Sequence, residues 1–229
     1  MKRNSLLCLA TGLFLASIIT PVYAEDTNEP VIKQRNESGY TITSAGGNGD
    51  KSLDPEYSQN TRKKRSLQSY TMKRGQYRDF NDETLKRYGN AELKTESGID
   101  LDYTDTSASV DYLVLNGYTK AFWYGDKPQS NADRITVLPS QSITASGTVF
   151  GVSIPPSVSW NAGKESGTFT WPSEYDTDAY RLTYNWDKIT CKAVGTARFT
   201  GVTVNDISNF KFGSTITSVT NTIDVTINK

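Results

Sequence analysis

The sequence predicts an all-β protein: an antiparallel β-sandwich, or a barrel-like closure of one, preceded by a disordered arm and a short helix. Three observations predict it. From residue 96 onward apolar and polar residues alternate, the period of a half-buried strand. Thirty-four of those 134 residues are Ser or Thr. Turn signals recur every 8 to 15 residues and separate eight to ten apolar runs, the spacing of a sandwich or barrel. No internal repeat is evident, which argues against a propeller or solenoid.

Taken in order, residues 1–24 read as a signal peptide. Lys2 and Arg3 form a positive n-region, Leu6 to Ile19 an apolar stretch, and Val22-Tyr23-Ala24 a small-x-small cleavage pattern. The apolar run is short for a bilayer span, and no later segment is long and apolar enough for one. Cleavage after Ala24 leaves 23 basic against 25 acidic side chains, a charge of −2, and Cys191 as the one thiol. An internal disulfide is therefore excluded in the exported chain. The expected location is extracellular, either released or held non-covalently at a surface.

Residues 25–66 read as a disordered polar arm. Large apolar residues are sparse, Ser44 to Asp50 is rich in glycine, and the arm ends in the basic run Arg62-Lys63-Lys64-Arg65. Residues 67–95 form a helical or extended connector. Within it, Asn81 to Gly89 carries a capping residue, acids in the first turn, bases in the last and a terminal glycine, the marks of a short helix.

The all-β domain spans 96–229. Val110 to Leu115 runs into Asn116-Gly117 and then Tyr118 to Tyr124, the pattern of a hairpin turning at Asn-Gly. Ile135 to Val137 is a short strand stopped by Pro139. The apolar phase slips near Gly147 and Gly151, which suggests a β-bulge. Val158 and Trp160 then face Phe169 and Trp171 across a loop from Asn161 to Gly167. Leu182, Tyr184 and Trp186 alternate, and a turn or bulge near Asp187-Lys188 resets the phase for Ile189, Cys191 and Ala193. Val202/Val204, Phe210/Phe212 and Ile223/Val225/Ile227 supply the last strands.

Zero histidine excludes Ser-His-Asp and Cys-His nucleophile activation and removes the commonest zinc ligand. Among the remaining groups, Trp123, Tyr124, Tyr175, Tyr180 and Trp186 are the candidate ligand contacts, because an exposed aromatic row suits the stacking of sugar rings. The ordinary arrangement is a core of Trp and Phe with Tyr at its rim. Asp100, Asp102 and Asp105 alternate beside a turn and are the candidate calcium ligands, although the EF-hand glycine and glutamate are missing. No other cofactor is expected. Arg62, Lys63, Lys64 and Arg65 suit processing or contact with an anionic surface. Nucleic acid is not expected as a partner, given export and the net charge. Cys191 lacks an activating base and reads as buried filler.

Three function classes follow. The first is an exported bacterial-type, non-enzymatic β-sandwich protein that binds a cell-surface polymer or protein. The second is a secreted β-pore-forming protein. Thr148 to Trp171 and Ser214 to Ile227 share its Ser/Thr alternation, and in that compositional sense the chain is similar to aerolysin-like toxins. The third is a glycan hydrolase that uses paired carboxylates.

Overall fold

The computed structural model describes residues 29–58, 69–106, 109–125, 131–147 and 149–229. The expected signal peptide and the basic run Arg62–Arg65 lie outside the described residues. The architecture is antiparallel β almost throughout, as the alternation predicts. Strands β1 (Val31–Glu37) and β2 (Tyr40–Gly46) form a hairpin, followed by a 3₁₀ turn at Lys51–Leu53 and one helical turn, α1 (Pro55–Ser58). Then come β3 (Ser69–Lys73), β4 (Tyr77–Tyr88), β5 (Ala91–Thr106), β6 (Val110–Tyr124), β7 (Ala132–Leu138), β8 (Ser140–Ala145) and β9 (Val149–Ser153). The chain finishes with β10 (Ser159–Ala162), β11 (Ser166–Thr170), β12 (Glu174–Val194), β13 (Phe199–Phe212) and β14 (Thr215–Asn228).

The 21-residue β12 ties two layers into one sheet. Its start, Glu174 to Ala179, pairs with β7, and from Arg181 onward the same edge pairs with β6. Its opposite edge carries β2 and then β9. Near this change of partner Asp178 has a positive φ of 51°, and the ladder with β2 on the opposite edge shifts register at Ala179/Arg181. A strand that changes layers needs such a bend, because a regular ladder keeps it in one plane. One layer runs β3, β14, β13, then β7 and β8 end to end, with β11 and β10 beyond β8. The other runs β4, β5, β6, β12, β2, β1. The hairpin β13–β14 lies across the inner faces of β4, β5 and β6, which closes the sandwich.

Period-2 alternation fills the space between the layers. Leu93, Ile99, Leu101, Leu113 and Leu115 meet Val204, Phe210, Ile223 and Val225, all buried. Aromatic pairs lock the layers together: Trp123 against Phe212 at 4.7 Å, Tyr103 edge-on to Phe199 at 6.0 Å, and Trp171 against Trp186 at 5.8 Å. Each such side chain withdrawn from water contributes about 1.5–3 kcal/mol, and this burial holds together a chain whose described cysteine is a free thiol.

Sequence expectation and structure part at three places. Residues from Asn81 to Tyr88 are not a helix: they belong to β4 and pair residue by residue with β5. Tertiary pairing overrides a weak local preference here, because a strand buries Phe80 and Asp82 under β14. Gly89 keeps its terminal role, with a φ of +60° in the two-residue turn into β5. A Cβ there meets nothing within 4 Å, so Gly89→Ala is expected to cost about 1 kcal/mol from backbone strain alone. Urea unfolding of the variant checks this; no change in midpoint would contradict the turn.

The second difference concerns residues 29–58 of the segment 25–66 read as a disordered arm; the rest of that segment lies outside the described residues. Within it β1 and β2 are strands, and β2 is clamped between β1 and β12. The segment after β2 is strapped onto the outer face of the second layer. Asp54 caps α1 through the Glu56 N–H at 3.0 Å and accepts from Arg181 Nε at 2.9 Å and the Tyr180 hydroxyl at 3.1 Å. Both Asp54 and Arg181 are buried. Lys51 reaches the Gly125 carbonyl at 3.2 Å and lies over the Tyr180 ring. The arm's few apolar residues suffice because β2 borrows its buried partners from β12.

Third, Asn116-Gly117 is not a turn. Both residues lie mid-strand in β6, opposite Asp100 and Ile99 of β5. Gly117 serves close approach instead: a Cβ would sit 2.1 Å from the Gly98 carbonyl oxygen and 2.6 Å from the Trp186 ring. β5 instead ends at Thr106 and β6 begins at Val110, next to Ser109 with its φ of 67°. The phase change near Asp187-Lys188 is a bulge within β12, between Trp186 and Ile189.

Candidate functional site

Of the five candidate aromatics, burial removes most from contact with a ligand. Trp123, Tyr180 and Trp186 are core side chains, and Tyr180 spends its hydroxyl on Asp54. Tyr124 is half-buried, stacked parallel to Phe122 and tilted on Tyr57. Tyr175 is 55% exposed. The five do not form a row.

Tyr175 sits where β12 begins, with Glu174 and Asp176 on either side. Adjacent residues of a strand leave it on opposite faces, so both carboxylates share the side away from the Tyr175 ring. That side faces β1 and β2. Glu174 accepts from the Arg35 guanidinium and from the Tyr40 hydroxyl at 2.6 Å. Asp176 accepts from Lys33 Nζ at 3.2 Å, from the Ser44 hydroxyl and from the Thr177 N–H at 2.7 Å. The register places Lys33 beside Ser44 and Arg35 beside Ile42, which aligns two bases with two acids across the open edge of the sandwich. A cleft of about 310 Å³ lies there, lined by Lys33, Gln34, Arg35, Ile42, Ser44, Tyr175 and Asp176. On the far side of β12 the Arg134 guanidinium lies 5.5 Å from the centre of the Tyr175 ring, within cation–π range.

The electrostatics of the cleft are those of a fixed, charged surface. Burial alone would raise the Asp176 carboxyl; the hydrogen bonds from Ser44, Thr177 and Lys33 outweigh it and hold the group below the usual carboxylate range. It stays ionised near neutrality and serves as an acceptor, whereas a general acid needs a carboxyl raised toward neutrality. Cys191 is fully buried, and burial pushes its thiol up to about 12, which leaves no thiolate at neutral pH.

The aspartates considered for calcium are divided by the pleat. Asp100 and Asp102 share the outer face of β5 and Asp105 belongs to the other phase. Asp100 accepts from Asn116 Nδ2 at 2.8 Å. Among the described residues, no group of three or more His, Cys, Asp or Glu side chains is placed to hold a metal ion. No helix among them is long and apolar enough to cross a membrane.

Sequence reasoning singled out Tyr175 but missed its neighbours Lys33, Arg35, Ser44 and Glu174. One signal was available: Ser38-Gly39 between Val31–Glu37 and Tyr40–Ile42 is a turn dipeptide between two short runs, and Gly39 does take a φ of 96°.

No family model matches the chain, and no curated protein matches it. Several solved structures share a distant likeness. The KRT10-binding region domain of the pneumococcal serine rich repeat protein PsrP is 9% identical, over 64% of this chain and 98% of that one, with a TM-score of 0.31. A collagen-binding domain from a Staphylococcus aureus adhesin is 10% identical over 66% and 97%, with a TM-score of 0.21. A structure described as a pore forming protein is 8% identical over 86% and 99%, with a TM-score of 0.18. A likeness this distant assigns neither a family nor a ligand.

Proposed function

We propose that this chain is an exported, non-enzymatic β-sandwich protein that binds a cell-surface polymer or protein through the edge built by β1, β2 and the start of β12. One observation carries the reading: Tyr175 keeps more than half its surface open beside a cleft whose charges are already fixed in place. A rigid aromatic with charged neighbours offers contact area and hydrogen bonds at low entropic cost. The lack of histidine, the inert thiol and the ion-paired carboxylates support binding over turnover.

Binding of the purified protein to whole cells and to isolated wall tests the reading. Tyr175→Ala is expected to weaken binding by about tenfold or more while its stability changes by no more than about 0.5 kcal/mol, as for other exposed sites. Binding unaffected by Tyr175→Ala and by Lys33→Ala with Arg35→Ala would place the contact elsewhere. Dye-loaded liposomes test the pore reading, and dye release together with ring-shaped oligomers would overturn the proposal in its favour. Release of new reducing ends from wall glycan would do so for the hydrolase.

A further inference from the structure

Two rows of polar side chains face each other across the middle of the sandwich. In one layer Asp82 of β4, Ser97 of β5 and Thr119 of β6 are successive cross-strand neighbours. In the other, Asp206 of β13 stands opposite Asn221 of β14. All five are buried. The hydrogen bonds between the rows run from layer to layer. Thr119 donates its hydroxyl to Asp206 Oδ2 at 2.6 Å, and Thr84 donates to Asn221 Oδ1 at 2.9 Å. Asn221 Nδ2 donates to the Asp82 carbonyl at 3.0 Å, and Thr95 to the Val219 carbonyl at 3.2 Å. The Ser208 hydroxyl is buried without a hydrogen-bond partner.

Among the described residues, no base is paired with Asp206. From β4, Asp82 and, at the rim, Arg78, Lys86 and Tyr88 share the face toward the hairpin; Lys86 is spent on the Ser218 carbonyl, Tyr88 stacks on Phe212, and Arg78 is exposed at the far end of the strand. From β5 come Tyr103 and the exposed Asp105, and from β6 comes Asp111, which takes the Tyr103 hydroxyl and the Arg198 guanidinium. Asp133, at the exposed end of β7, accepts from the Gly213 N–H. The inner faces of β8 and β14 bring no titratable group. A lone carboxylate among hydroxyls is costly to ionise in such a place.

We infer that this seam is a pH-responsive catch between the β13–β14 hairpin and the β4–β6 layer, closed while Asp206 carries its proton and loosened when the proton leaves. Burial pushes the Asp206 carboxyl up to about 7, against the pull of the Thr119 and Ser97 hydroxyls and the Ser140 N–H. Once the hairpin lifts and water reaches the group, it returns to about 3.9. The closed form therefore binds more protons than the open one between those limits. Opening rises about tenfold per pH unit from about pH 4 to 7 and levels off above.

Amide hydrogen exchange on the full chain, corrected for intrinsic exchange rates, tests this. Protection of β13 and β14 is expected to fall about tenfold per pH unit between pH 5 and 7, with β6 and β12 largely unaffected. In Asp206→Asn the slope should vanish and protection should stay high. A flat profile in the native chain, the same slope in the variant, or loss shared equally by β6 and β12 would overturn the inference. A carbon-detected titration of the Asp206 carboxyl in the native chain gives an answer if the variant fails to fold; a midpoint near about 4, the value of a solvated carboxyl, would sink it.

Discussion

Asp54→Ala is expected to lower the unfolding free energy by about 3–5 kcal/mol, the cost of leaving one member of a buried ion pair behind. Arg181 is 2% exposed and sits under the strap formed by the 3₁₀ turn and α1. Its Nε has Asp54, its Nη1 has Glu56 at 3.2 Å, and the same Asp54 caps α1 and takes the Tyr180 hydroxyl. Losing the carboxylate thus takes the Nε partner from a guanidinium left with the half-exposed Glu56, and removes a phenol's acceptor and a helix cap with it. Chemical unfolding measures the loss. Replacing both partners, as in Asp54→Leu with Arg181→Met, should recover most of it, because two apolar groups need no desolvation. The exposed pairs at the cleft are a contrast: Lys33→Ala should cost no more than about 1 kcal/mol. A small effect at Asp54 would mean that the strap does not hold its place in solution.

Asp206→Asn is expected to act in the opposite direction, increasingly as pH rises above about 4. The folded carboxyl lies at about 7, above about 3.9 in the unfolded chain. The folded state therefore holds the proton more tightly, and stability is lost as pH rises from about 4 through 7. Integrated over that window, the loss comes to roughly 4 kcal/mol. It is an upper bound for the gain on substitution, because Asn accepts less strongly from Thr119. Thermal or urea unfolding at pH 8 should show the variant to be the more stable, with the difference gone near pH 4. A variant less stable at pH 8 would show that the ionised carboxylate is favoured where it stands.

What could be read in advance follows from where the information lies. The pairing of Trp160 with Phe169 across the β10–β11 hairpin, the bulge after Trp186 and the buried phase of β14 were legible because period 2 with one buried face leaves a mark on every second residue. β4 was not. Its inner residues Phe80, Asp82 and Thr84 include one large apolar side chain, and its polar outer residues match those of a helix end. β1 was hidden for a related reason, since all seven of its residues are exposed and nothing in its composition marks it as ordered. The candidate site was half legible. Tyr175 could be named from its loop-like surroundings, but composition does not tell a rim tyrosine from Tyr180 in the core. The bases that complete the cleft come from the far end of the chain, and only the β2–β12 ladder brings them there.

That ladder also dictates an order of events during synthesis. Lys33 finds Asp176 across 143 positions of sequence, and Tyr40 finds Trp186. The β1–β2 hairpin can close on itself, but its other edge has no partner until β12 has been made. β12 in turn joins β2, β6, β7 and β9, so neither layer can be finished without it. Such a topology has a high contact order and folds on the millisecond-to-second scale typical of non-local β proteins. Until β12 arrives, β2 and β6 each keep an edge open, which exposes the nascent polypeptide to wrong pairing and to any chaperone that guards such edges.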